Sequence, residues 1–292
     1  MRKSISDMPG ETMINRDILK DIAQKYGSLT KSEKIVATHI LKNPESVLQN
    51  TISDLAEICG VADTTVFRFC RSMNLKGYQA FRIMLALNTK QEADGHDYPE
   101  SDDCESASKR IMQDCVNALT ESYKLINHSV IDAAINMLCK ANCIYFFGMG
   151  GSGIIASCAK NKFIKITPHV IQDHDTHIQL SMSALLNDDD IAVVFSNSGT
   201  TRDAIEIARL AKLNNAMVIF ITCFPKTPAV EFSDVLLLSG AYEGPLQGGS
   251  STAFISQYYM VEVLYEYFFR AKGSQAANNK LRTSMSIVEK ML

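Results

Sequence analysis

The chain has 292 residues, 46% of them hydrophobic, enough for two ordinary domains that each bury a core. No run approaches the roughly 18 uninterrupted apolar residues of a membrane span, and the polar start Met1-Arg-Lys-Ser-Ile-Ser-Asp7 lacks the apolar centre of a signal peptide, so a cytoplasmic protein with no membrane partner is expected. The net charge of −3 is uneven, with 13 Lys and Arg against 9 Asp and Glu in Met1–Lys90 and 16 against 23 beyond, which favours a nucleic-acid-binding head on an acidic body. Eight cysteines without a Cys-x-x-Cys pair supply no zinc spacing and read as reduced thiols.

In chain order, Ile14, Ile18, Ile22 and Tyr26 recur at steps of four and predict a short amphipathic helix. Thr30 and Glu33 have capping-box spacing ahead of Ile35, Val36, His39 and Ile40 on one face, and Asn43-Pro44 ends that helix. A second cap, Thr51 to Asp54, opens a helix with Ile52, Leu55, Ala56 and Cys59 on one side, closed by Gly60. In the next helix Val66, Phe69, Cys70 and Met73 fall at i, i+3, i+4 and i+7 and face a core. Its cap is expected at Asp63, since Ala62 offers no side-chain acceptor. Thr64, Thr65, Phe67, Arg68, Arg71 and Ser72 then point outward, and two arginines among hydroxyls suit phosphates and guanine edges. Helix, glycine turn and helix with such a face describe a helix-turn-helix whose second helix enters the major groove. The periodicity alone also fits an ordinary helical hairpin with a solvated face.

The segments Leu29-Thr-Lys-Ser-Glu33, Ile52-Ser-Asp-Leu-Ala-Glu57, Gly60-Val61, Thr65-Val-Phe-Arg-Phe-Cys-Arg71 and Leu75-Lys-Gly-Tyr78 resemble the N-terminal domain of the RpiR/MurR-type bacterial transcriptional regulators. The resemblance implies operator DNA as partner, bound by a homodimer or a dimer of dimers, with Thr64, Thr65, Arg68 and Arg71 on the recognition helix and Lys76 in the loop after it. Where that family usually caps the helix with Ser, this chain has Ala62.

The pattern breaks from Asn88 to Ser106, where Gln91-Glu-Ala-Asp-Gly-His-Asp-Tyr-Pro-Glu-Ser-Asp-Asp103 is polar and acidic and reads as a linker. The expected division is a helix-turn-helix domain over 1–87, a linker over 88–107 and a second domain over 108–292. Helical patterns resume with Ile111, Cys115, Ala118, Leu119, Tyr123 and Ile126, then from Val130 to Leu138.

Two later stretches share one design. Ile191 to Phe195 is a short apolar run suited to a strand buried on both faces, followed by Ser196-Asn-Ser-Gly-Thr-Thr201 and a helical pattern at Ala204, Ile205, Ala208 and Ala211. Cys143 to Phe147 is a similar run, followed by Gly148-Met-Gly-Gly-Ser-Gly153 and a helix with Ile154, Ile155, Cys158 and Phe163. A strand leading through a small-residue loop to a helix N-terminus offers unpaired N–H groups to an anion, and hydroxyls add neutral donors. The bland alternative is that the hydroxyls cap the turn. Gly148, Gly150 and Gly153 also satisfy the dinucleotide fingerprint, with Asp173 as its acidic residue. Further strands at His169-Val-Ile171, Ala216 to Thr222 and Val235 to Leu238 predict an α/β three-layer domain with a five-stranded, largely parallel sheet, behind the all-α helix-turn-helix domain.

The two loops, with Ser-Asn-Ser-Gly-Thr-Thr matching Ser-x-Ser-Gly-x-Thr, resemble the sugar isomerase (SIS) domain that binds phosphosugars. That resemblance implies an effector phosphate held by Ser196, Ser198 and Thr201, with Gly150 and Ser152 from the first loop, and sugar hydroxyls met by His177 and Glu243. Ser152 stands beside Gly151 where some SIS isomerases carry a lysine, which leans against catalysis, so no catalytic residue and no cofactor is expected. Asp173-His-Asp-Thr-His177 specifies no third ligand, and no metal is expected. In the helix expected from Thr252 to Phe269, Tyr258, Tyr259, Leu264, Phe268 and Phe269 exceed one apolar face and suggest a dimer seam. The reading is a DNA-binding transcriptional regulator whose SIS domain senses a phosphosugar. A phosphosugar isomerase with an N-terminal assembly domain and a nicotinamide-dinucleotide-sensing repressor stay open beside it.

Overall fold

Capping residues set the helices of the N-terminal region. In this computed structural model, which describes residues 16–92, 103–241 and 249–288, the chain forms α1 (Ile18–Lys25), a 3-10 turn, α2 (Lys31–Lys42), α3 (Pro44–Gln49), α4 (Ile52–Cys59), α5 (Asp63–Ser72) and α6 (Tyr78–Glu92). Both expected capping boxes form, Thr30 with Glu33 and Thr51 with Asp54. Gly60 ends α4 in the left-handed region at φ 62°, which a residue without a Cβ adopts at little cost. One core holds these helices together, built on Ile18, Ile22, Val36, Ile40, Leu55, Val66, Phe69 and Phe81, with the Phe69 and Phe81 rings edge to face at 5.7 Å.

Three expectations change here. Ile35 is 49% exposed, because α2 turns Glu33, Val36, Ala37 and Ile40 inward instead. The cap of α5 is Ala62, without a side-chain hydrogen bond; Asp63 is the first helical residue, and its carboxylate accepts from Ser53 Oγ at 2.6 Å. Asn88 belongs to α6 and not to a linker: its buried amide accepts from Ile18 N–H at 2.7 Å and donates to the Arg16 carbonyl at 3.0 Å. A polar residue satisfied this way sits inside a core without cost, which composition does not reveal. Helix resumes with α7 (Cys104–Lys124), so helical residues occupy both ends of the 88–107 stretch. Ile14, His96, Glu243 and Gln247 lie outside the described residues.

The described residues divide into two compact units, one up to Lys109 and one from Arg110. In the second, α8 (His128–Lys140), β1 (Cys143–Gly148), α9 (Gly151–Phe163), β2 (Val170–Ile171), α10 (Thr176–Ser183), β3 (Asp190–Phe195), α11 (Arg202–Leu213), β4 (Met217–Thr222), β5 (Val235–Leu238) and α12 (Ser251–Val288) follow α7. The sheet runs β2-β1-β3-β4-β5 with every pair parallel. Alternate strand residues feed two cores. Ile144, Phe146, Ile191, Val193, Ile219 and Ile221 pack under α8, α9 and α12; Phe147, Ala192, Val194, Val218 and Phe220 pack under α11. The result is the expected three-layer sandwich with five parallel strands.

Helix α12 extends well past Phe269 and breaks at Gly273 (φ 53°, ψ −125°), after which Asn279 Nδ2 and Thr283 Oγ1 donate to the carbonyls of Ile166 and Lys165. Its apolar excess is largely consumed within the chain: Leu264 and Phe268 are buried against the sheet, while Tyr258 is 38% exposed. The basis for a dimer seam on that helix is correspondingly narrower. Among the described residues no helix is long and apolar enough to cross a membrane.

Candidate functional site

On α5 the inward residues are Val66, Phe69 and Cys70, and the outward ones are Thr64, Phe67, Arg68, Arg71 and Ser72. Thr65 departs from the expected set. It is buried, and its hydroxyl accepts from Arg68 Nη2 at 3.3 Å, so it steers an arginine and leaves the outer face to others. Arg71 and Lys76 are exposed and engage no hydrogen-bonding partner among the described residues, as cations held ready for phosphate would. The far end of the helix is anchored. Lys25 Nζ donates to the Ser72 carbonyl at 3.0 Å and Arg16 Nη2 to the Met73 carbonyl at 2.6 Å, placing positive charge at the negative end of the dipole.

Glu33 ties α2 to the same helix by accepting from Ser72 Oγ at 2.9 Å. Burial opposes its ionisation, but hydrogen bonds from Thr30 and Ser72 and the nearby Arg68 outweigh this and hold the carboxyl below its ordinary range. Phe67 is a residue the DNA-facing set omitted. It is 46% exposed and covers Gly77, where an added Cβ would lie 3.3 Å from the ring, so the outward face of α5 carries an apolar surface beside its arginines.

In the α/β unit, β1 and β3 lie side by side, with Gly148 in register with Phe195. The loops that follow them leave the sheet together, then diverge: α9 packs on one face and α11 on the other. That divergence opens a crevice at the carboxyl ends of the strands, where open α/β sheets take ligands. The strand order also decides against the dinucleotide reading, because that fold places its second and third strands on one side of the first, whereas here β3 lies across β1 from β2.

Both loops are built for close approach. A Cβ on Gly148 would lie 2.5 Å from the Ser152 carbonyl oxygen, and one on Gly153 would lie 2.9 Å from the Gly148 oxygen. Gly199 has φ 62°, and a Cβ there would lie 2.6 Å from Thr227 Cγ2 and 2.8 Å from Thr222 Oγ1. Neither Gly150 nor Thr201 caps its helix with a side chain, in contrast to Asp175, which caps α10 by accepting from His177 N and Ile178 N. The hydroxyls bond to one another instead. Ser196 Oγ donates to Thr201 Oγ1 at 3.3 Å, and Ser198 Oγ accepts from Thr200 N and Thr200 Oγ1. In α9 the Gly153 N–H already bonds the Gly150 carbonyl at 3.1 Å, which leaves the N–H groups of Gly151 and Ser152, with those that open α11, as donors for an anion.

Of the expected effector residues, Ser196, Ser198 and Thr201 share one loop, and Gly150 and Ser152 lie in its neighbour at the crevice. His177 is exposed near the start of α10. Asp173 and Asp175 are committed to the turn before it, the former accepting from Asp175 N at 2.8 Å. Sequence reasoning missed Gln179, whose fully buried amide both accepts from Gly148 N–H and donates to the Gly148 carbonyl at 3.0 Å each. It stands in for a strand partner where two-residue β2 has already ended, and so pins the first loop to the helix that carries His177.

A helix-turn-helix with an open cationic face, in one chain with a parallel α/β domain whose crevice is lined by uncapped helix ends, defines a ligand-responsive DNA-binding protein. Residues 16–92 match the helix-turn-helix domain of the rpiR family, and residues 137–267 match the SIS domain. A helix-turn-helix transcriptional regulator of Haemophilus influenzae is 30% identical over 282 residues, 94% of this chain and 98% of that protein. The regulator HexR of Escherichia coli is 29% identical over 94% of this chain and 95% of its own. The structure of Vibrio vulnificus NanR complexed with ManNAc-6P superposes with a TM-score of 0.85 at 25% identity, covering 94% of this chain and all of the other. The chain belongs to the RpiR family of transcriptional regulators, with an N-terminal helix-turn-helix and a C-terminal SIS domain.

Proposed function

We propose that this regulator binds operator DNA through α5 and senses a sugar phosphate in the crevice between β1 and β3. Thr64, Arg68 and Arg71 read base edges and phosphates, Lys76 holds the backbone, and Thr65 acts through Arg68. The phosphate sits against Ser196, Ser198 and Thr201, with the amide of Gly150 and the hydroxyl of Ser152 opposite; His177 meets a sugar hydroxyl. The assignment of Glu243 to the same task rests on the family resemblance alone. The DNA-reading domain runs through α6, and the effector domain takes in the residues from Arg110. The protein works in the cytoplasm as a homodimer or a dimer of dimers, because a helix-turn-helix reads paired half-sites.

The observation that carries this reading is the pair of glycine-hydroxyl loops at one switch point, each opening an uncapped helix. NanR was solved with an amino-sugar phosphate, which supports that ligand class here. The relatives are regulators, and the described loops supply neutral donors, which supports a sensor over an isomerase. The test is calorimetry of the full chain against sugar phosphates and amino-sugar phosphates, alongside DNA binding. A sugar-phosphate isotherm lost in Ser198→Ala but kept in Arg71→Ala is expected. Turnover of an aldose or ketose phosphate would overturn the sensor reading.

A further inference from the structure

The loop that carries the hydroxyls has a back side, and its centre is Asn197, between Ser196 and Ser198 and only 8% exposed. Its carbonyl accepts from Cys223 N and Thr222 Oγ1, both at 3.0 Å, which carries the β3–β4 pairing beyond the strands. Its side chain reaches further, with Nδ2 donating to the Ala241 carbonyl at 3.3 Å, just past the end of β5. Ser239 N donates to the Thr222 carbonyl at 2.8 Å, so the exits of β3, β4 and β5 are tied in a row.

That row ends on a helix. Gly240 N donates at 2.9 Å to Ser122 Oγ, which is fully buried and donates in turn to the Ala118 carbonyl at 2.7 Å. The Gly240 backbone lies directly on α7: a Cβ at that position would be 2.3 Å from Ser122 N and 2.5 Å from the Glu121 carbonyl carbon. Ser256 Oγ of α12 donates to the same Ala118 carbonyl at 3.4 Å. Of the 21 residues of α7, Ala118 and Ser122 are the buried ones. The helix is a rod, about 30 Å long at 1.5 Å per residue, seated at its C-terminal end. In the sequence it is the element that follows the helix-turn-helix region.

We infer that Asn197, Gly240 and Ser122 are positioning residues that couple the hydroxyl loop to α7, so that an anion at Ser196 and Ser198 resets the seat of the helix leading to the DNA-reading domain. The inference rests on the reading of that loop as the effector site. Its physical content is that Asn197 lies between the two ligand hydroxyls and cannot shift without loading the Ala241 carbonyl. Gly240 in turn has no space in which to slide along α7, so a displacement is passed on and not absorbed. A displacement of that seat is the element that both sites must bias for allosteric coupling.

The test is hydrogen–deuterium exchange on the full chain, read at Gly240 and at residues 118–124. Ser198→Asp places a fixed carboxylate where the anion would sit, and Asn197→Ala cuts the tie directly. Each is expected to change exchange in the last turns of α7 by about fivefold or more in the parent, and Ser198→Asp is expected to have no such effect in a Ser122→Ala background. Ser122→Ala removes one hydroxyl from a helix without lowering helix propensity. Unchanged α7 exchange in both loop variants overturns the relay, as does equal propagation of Ser198→Asp with and without Ser122. With ManNAc-6P as probe, an isotherm and an α7 response that both survive Ser122→Ala also overturn it. Failure of sugar phosphates to bind at all overturns the effector reading instead, and the loop variants still decide the relay.

Discussion

The two candidate binding regions of this regulator are made differently. The head presents long cationic side chains on a rigid helix, with Arg71 and Lys76 unengaged among the described residues, while Arg82 is buried and spent on the Leu48 carbonyl. The crevice presents backbone N–H groups and hydroxyls on two glycine loops. Charge on flexible stems tolerates many neighbouring positions of a phosphate and responds to salt; fixed neutral donors select one ligand shape and respond to geometry. The difference teaches where each function is fragile. The head is sensitive to what is removed from its surface, and the crevice to what is added behind its loops.

The largest effect should come from Gly199→Val, which must give up φ 62° and place new atoms inside contact with Thr227 and Thr222. Strain of about 1–3 kcal/mol plus overpacking predicts at least ~10-fold weaker sugar-phosphate binding by calorimetry, with effector-free DNA binding retained. An unaltered isotherm would show that the loop is not the phosphate site. Ser198→Ala removes a hydrogen bond to a charged ligand, worth roughly 1.5–3 kcal/mol, and should leave DNA affinity untouched.

In the head, Arg71→Ala should cost about 1–3 kcal/mol of operator binding, whereas Lys76→Ala should weaken all sequences alike and reduce the salt slope by about 1. If both variants instead lose sugar-phosphate binding, the division of labour fails. The smallest effect concerns Glu33. Its carboxyl titrates below its ordinary range in the folded chain, so its stabilisation is complete above the ordinary glutamate value of 4.5 and fades as pH falls below it. Glu33→Gln should therefore melt below the parent at pH 7, and the gap in melting temperature should close as acid is added through that range.

The same contrast decides what could be read from the amino acids. Capping boxes at Thr30 and Thr51, the αL glycine at Gly60, the five short apolar runs and the two glycine loops are local signals, and each appears where its chemistry demands. Contacts made across the sequence left no such mark. Asn88 looked like the start of a linker because its partners, Ile18 and Arg16, lie some seventy positions away. Gln179 carries no periodic signal, since its two bonds to Gly148 depend on how α10 docks. Thr65 was misplaced outward by one step of the helical wheel, although its hydroxyl still serves the arginine beside it. The apolar surplus of α12 suggested a partner until the sheet and the turn-back beyond Gly273 accounted for most of it.

The parallel register bears on how the chain is made. Strand β1 pairs with β3, joining Cys143 to Asp190, so its inner edge has no partner until some forty-seven further residues are synthesised. At about 5–20 residues per second this is an interval of roughly 2–10 s, during which that edge of the run Cys-Ile-Tyr-Phe-Phe has nothing to pair against. The helical head, whose hydrophobic core is built from residues that all precede that strand, can already be folded by then. A nascent regulator thus acquires its DNA-reading surface before the crevice that would govern it.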